Sequence, residues 1–187
     1  FGDTYVRDAP VLHDEYIHIP CYDVPELQRD PAVREFWGES VKRFWYKIFT
    51  TQGALGGAIW GGIDDVMIAS KGYRQTYVWG IIDGWRRKKP EFWLTKKGYS
   101  PIRVPEVPLA NPGAGNPLSV PIRNWFDHTH LNEIVVRWSV GEESGALSGP
   151  DVAPHGEGQV TIPARDWADG ERLRLEFYRR TPRGELL

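Results

Sequence analysis

The chain has a single cysteine, Cys21, in 187 residues. One thiol excludes an internal disulfide framework and leaves the redox compartment open. Long apolar runs are missing too: no stretch approaches the ~20 apolar residues of a spanning helix. The opening residues, FGDTYVRDAP, lack the charged-then-apolar layout of a secretory signal and read as a cut beginning. We therefore expect no membrane partner. An excess of one charge sign is also absent, since the formal net charge is −2. No global field draws this chain to phosphate backbones or anionic lipid. The longest basic run, Arg86-Arg87-Lys88-Lys89, reads as a solvated loop, and nucleic acid is not an expected partner. Repeats and low-complexity segments are not evident.

Aromatic residues, by contrast, are plentiful, with nine tryptophans. Tryptophan serves cores, interfaces and flat sugar-stacking platforms alike, so its abundance alone assigns nothing. Hydrophobic residues make up 41%, enough for one domain of ordinary size or two small ones.

The clearest local pattern lies between residues 31 and 49. Val33, Phe36, Trp37, Val41, Phe44, Trp45, Ile48 and Phe49 follow helical spacing, and Arg34, Glu35, Glu39, Lys42, Arg43 and Lys47 point away from them. Asp30 is placed to cap this helix, and Pro31 suits its first position. Residues 53–60, GALGGAIW, form a short apolar run of the kind buried on both faces of a parallel sheet. With an expected strand at about 10–17, the order is strand, helix, strand: one right-handed βαβ unit. A second helix is expected over Pro90–Gly98. After Ser100 the prolines at 101, 105, 108, 112, 117 and 121 break helices. Alternating runs at 118–122, 133–140, 159–162 and 172–178 then predict a small antiparallel sandwich. The expected domains are thus 1–100 and 101–187.

The first strand, PVLHDEYIHI, is crowded with titratable groups. On a strand, His13 and Glu15 share one face while Asp14 and Tyr16 take the other. Glu15, followed by Pro20, would lie where the strand emerges into a loop, and strand ends of α/β folds are where reactive groups gather. Two readings compete there: a catalytic carboxylate, or a structural one paired to a buried cation or indole N–H. A zinc-protease site needs histidines four apart on one helical turn. His13 and His18 are five apart on an expected strand, so no metal is expected.

PVLHDEYIH, then the helix, then GGAIWGGIDD and WGIIDGWRRKKPEFWLTKKGYSPIRV together resemble the end of the catalytic barrel in glycoside hydrolase family 2, the β-galactosidase and β-glucuronidase group. Residues 101–187 resemble the following immunoglobulin-like domain, most closely at NWFDHTHLNEIVVRWSV. The resemblance implies α/β plus all-β architecture: the last βα units of a (β/α)8 TIM barrel followed by an immunoglobulin-like β-sandwich. It implies a retaining exo-β-glycosidase without a cofactor, in which Glu15 is the nucleophile and His18 and Trp60 contact the sugar. A retaining enzyme holds that carboxylate ~5–5.5 Å from a second carboxylic acid. The family's acid comes from an upstream Asn-Glu pair; Asn132-Glu133 lies downstream and reads as a surface strand pair. The expected partners are therefore a carbohydrate substrate and the remainder of the enzyme, upstream barrel and sandwich domains, with a homo-oligomer possible. The 187 residues alone are expected to be inactive. Trp79-Gly80 replaces the asparagine-glycine with which many β-galactosidases hold a cation. The alternative is a non-catalytic carbohydrate-binding or scaffold module derived from the enzyme fold. Trp125, Trp138 and Trp167 are expected in the sandwich core.

Overall fold

The computed structural model describes residues 9–17, 29–30 and 32–179. It divides into two compact units, Phe1–Ser100 and Pro101–Leu187.

In the first unit, strand β1 (Val11–Tyr16) leads to helix α1 (Ala32–Thr50) and strand β2 (Ala54–Ile59), and β1 and β2 pair in parallel. Asp30 starts the helix, its Oδ1 accepting from the Ala32 amide at 2.9 Å. The buried stripe of α1 is Trp37, Gly38, Val41 and Ile48, narrower than the apolar spacing predicts; Phe36 stays 72% exposed. Two glycines let helix α2 (Pro90–Gly98) cross α1 closely. A Cβ on Gly38 would sit 2.6 Å from the Leu94 Cβ, and one on Gly98 would sit 3.1 Å from the Lys42 Cα. Between β2 and α2 the chain makes an antiparallel hairpin, β3 (Asp65–Ala69) and β4 (Gly72–Tyr77). Gly72, at φ 105°, takes a backbone conformation that other residues rarely adopt.

The second unit has two three-stranded antiparallel sheets. One runs β5 (Ile102–Arg103), β6 (Asn116–Asn124), β9 (Glu157–Arg165). The other runs β10 (Leu173–Arg179), β7 (Ile134–Val140), β8 (Glu143–Ser148). Inward residues of both sheets share one core: Ile102, Leu118, Val120, Ile122, Val160 and Ile162 from the first, Ile134 and Val136 from the second. Strand β6 alternates buried and exposed over Leu118–Asn124, as a strand with one wet face must. Trp138 and Trp167 pack on the core's margin, while the Trp125 ring is covered by Arg103 at 4.0 Å.

This architecture corrects the fold expected from the resemblance. Among the described residues strand outweighs helix, in four small sheets and with only two α-helices. Successive βα units of a TIM barrel would instead follow each parallel strand with a helix. Here β2 is followed by the β3–β4 hairpin, because residues 65–77 are short strand segments about a glycine turn. An amphipathic helix between two apolar runs specifies a βαβ unit and says nothing about barrel closure. The second unit also has six strands among the described residues, grouped three and three, where an immunoglobulin constant-type domain has four and three.

Candidate functional site

Parallel pairing brings two strand ends together. Tyr16 is in register with Ile59, and the Trp60 amide donates to the Tyr16 carbonyl at 3.3 Å. Glu15 is therefore next to the residue that Trp60 hydrogen-bonds, and both are exposed, Trp60 by 43%. Glycine makes the close pairing possible, since a Cβ on Gly57 would lie 2.5 Å from the His13 carbonyl oxygen. His18, the other expected sugar contact, lies outside the described residues.

The loops beyond β2 are laced to each other by backbone bonds. Gly61 donates to the Trp79 carbonyl at 3.3 Å, Ile82 to Gly62 at 3.1 Å and Asp64 to Ile82 at 2.9 Å. The Trp60–Gly61 peptide is cis. This lacing sets the Trp60 and Trp79 rings edge to face, 6.0 Å between centroids, so one indole buttresses the other. Gly80 is required at its position: a Cβ there would come within 2.2 Å of the Asp64 nitrogen. The Trp79-Gly80 step thus has a packing reason of its own.

Beneath the loops lies a buried ionic network that sequence patterns do not reveal. Lys89 Nζ donates to Asp64 Oδ1 and to the Val78 carbonyl, both at 2.8 Å, and lies 3.5 Å from Glu91 Oε1. Arg34 Nη1 meets the same Glu91 oxygen at 2.9 Å, and the Gly80 amide donates to Asp64 Oδ1 at 2.8 Å. The two acids and two bases balance. Asp64, Lys89 and Glu91 are all buried, whereas the basic run and acidic loop predict solvated side chains. The only sequence signal was the position of Lys89 and Glu91 around Pro90 at a helix start, where acids normally face water and the positive helix end. Glu91 Oε2, Thr95 Oγ1 and Trp37 Nε1 are buried without a hydrogen-bond partner among the described residues.

A second polar contact lies at the end of β1. The Tyr16 and Tyr99 hydroxyls are hydrogen-bonded, and the Tyr99 ring packs against Trp45 at 4.9 Å. Burial, reinforced by the bond to Tyr99, pushes the Tyr16 hydroxyl well above the usual phenol range; burial also raises Tyr99. Both are neutral spacers at ordinary pH.

Chemically, the arrangement offers a carboxylate at one strand end and an indole face at the adjacent one. Asp64, the acid nearest Trp60 in sequence among the loop residues, is buried and paired with Lys89. Asn132-Glu133 is in the second unit, in a 3-10 turn where Glu133 Oε1 accepts from the His130 amide at 3.1 Å; it caps that turn and is not a strand pair. Among the described residues, no three His, Cys, Asp or Glu side chains gather as metal ligands would. No described helix is long and apolar enough to cross a membrane. No protein-family model matches the chain and no curated protein matches it, so the glycosidase resemblance stands on its motifs alone.

Proposed function

We propose that this chain contributes the nucleophile and part of the sugar pocket of a retaining exo-β-glycosidase of β-galactosidase type. The observation that carries the reading is the shared end of β1 and β2, where Glu15 and Trp60 emerge on hydrogen-bonded neighbours. In the double displacement, Glu15 attacks the anomeric carbon as the aglycone leaves, forming a covalent glycosyl-enzyme that water then opens. Trp60 offers its face to pyranose C–H groups, held in place by Trp79. The carboxylic acid that protonates the leaving oxygen comes from a segment outside these 187 residues, so catalysis belongs to the whole protein.

The test uses the full-length protein carrying this chain. A fluorinated activated glycoside should trap a covalent adduct, and the labelled peptide should contain Glu15. Glu15→Gln should lower turnover by roughly 10^4-fold while sugar binding survives. Substantial turnover in that variant, or a label elsewhere, removes the assignment. Sugar binding without turnover in the unsubstituted protein would instead make the chain a binding module.

A further inference from the structure

The loop entering α2 has a surface unrelated to Glu15. Trp85 is 70% exposed and Trp93 56%, and Arg86, Arg87 and Lys88 between them are exposed as well. Each indole carries a cation: the Arg87 guanidinium lies 5.4 Å from the Trp85 ring, and Lys88 Nζ lies 5.0 Å from Trp93 and 4.9 Å from Phe92. The turn is preformed. Asp83 accepts from the Trp85 amide at 2.9 Å, the Arg87 amide at 2.8 Å and Arg87 Nε at 2.6 Å, and the Arg86 amide donates to the Asp83 carbonyl at 2.9 Å. Arg87 is thereby neutralised. Arg86 and Lys88 have no carboxylate within 4.0 Å among the described residues.

Each indole leaves more than half of its surface in water, with a cation over its ring. We propose that Trp85, Arg86, Lys88 and Trp93 form a secondary surface that binds a uronate-bearing polysaccharide. A uronic acid ring keeps C–H faces that stack on indole, and its carboxylate projects from the ring edge, where an adjoining cation can meet it. Two exposed cations without an ion-pair partner among the described residues offer charge complementary to a chain of carboxylates. They are too few for the phosphate contacts that give nucleic-acid affinity, in a chain whose net charge is −2. The rigid turn limits the ordering cost of binding. The choice of a carbohydrate partner rests on the glycosidase reading; the surface itself does not need Glu15 to attack.

The test titrates the 187-residue chain with oligogalacturonate, with neutral galactan of equal length and with oligothymidylate. Oligogalacturonate should bind tightest, and Arg86→Gln with Lys88→Gln should weaken it about fivefold, with neutral galactan unaffected. Trp85→Ala should weaken both glycans, and 0.5 M salt should weaken only the charged one. All four side chains are exposed, and circular dichroism of the variants should match the parent. Equal affinity for galactan and oligogalacturonate overturns this inference alone and leaves the carbohydrate reading standing. Insensitivity to the paired substitution, or preference for oligothymidylate, also overturns it. Binding of neither glycan removes the inference and weakens the carbohydrate reading with it, while labelling of Glu15 still decides the nucleophile separately.

Discussion

Replacing Lys89 with methionine should be among the most damaging single changes in the first unit. Methionine keeps the length and apolar stem of lysine, so the substitution isolates the ammonium group. Its loss removes two hydrogen bonds of 2.8 Å, to Asp64 and to the Val78 carbonyl, and the 3.5 Å contact with Glu91. Asp64 would retain the Gly80 amide and Glu91 would retain Arg34, but the side chains of both acids are within 1% of complete burial. One net negative charge is then left in the interior. Breaking a buried pair in this way costs about 3–5 kcal/mol. A domain's whole stability is only about 5–15 kcal/mol, so the first unit would lose roughly a fifth or more of its margin. Urea unfolding followed by tryptophan fluorescence should show an earlier first transition, with the second unit's transition unmoved. The pairing also predicts non-additivity: in Lys89→Met with Asp64→Asn, the second substitution should recover at least about 1 kcal/mol of the first loss. A loss below about 1 kcal/mol in the single variant, or simple additivity in the double, would refute the electrostatic account.

Two further perturbations test packing and titration separately. Gly38→Ala adds helix propensity worth about 1 kcal/mol but drives a methyl to 2.6 Å from the Leu94 Cβ, an overpacking costing about 1–3 kcal/mol. The thermal midpoint of the first unit should fall, and a rise would show that α1 and α2 separate freely. For Tyr16, the folded form keeps a proton that the unfolded chain loses above about pH 10, so stability should be level below that pH and decline above it. Phenolate absorbance in the folded chain should show delayed ionisation of two tyrosines, and ordinary titration of all eight would contradict the buried pair.

How much of this could be read from the residues depends on the range over which each interaction acts. Asp30 before an apolar helical stripe, and PEFWLTKKG with proline at the front, are local signals, and both helices form there. The alternating runs after Ser100 are local in the same sense, and β6, β7, β9 and β10 occupy them. What sequence could not supply is the choice of partner at long range. Phe36 has helical spacing but stays exposed, while Trp37 and Val41 next to it on the helix are buried. The hairpin at 65–77 is not legible locally because GIDD and KGY look like loop chemistry until their segments pair. Strand β8, ESGALS, has too little apolar content to stand out, yet it pairs with all of Val135–Val140. For the candidate site, the strand-end placement of Glu15 and Trp60 was legible from two apolar runs. The ionic network was not, because Arg34, Asp64, Lys89 and Glu91 come from separate parts of the chain and their burial is a tertiary fact.

The two units therefore hold themselves together by different means, which bears on where function can be perturbed. The second unit has ten buried residues in one apolar cluster, so its stability is spread over many contacts. Among the described residues the first unit's cluster has two buried members, and the loops bearing Trp60, Trp79 and Trp85 are held by backbone lacing and by Lys89. Hydrogen bonds and ion pairs fix orientation more sharply than apolar burial does, because they are directional. An exposed indole gains little from being near its ligand unless its plane is set in advance. Lys89 ties these loops together through Asp64 and the Val78 carbonyl. Its loss should loosen Trp60 and Trp85 together, even where the second unit remains fully folded.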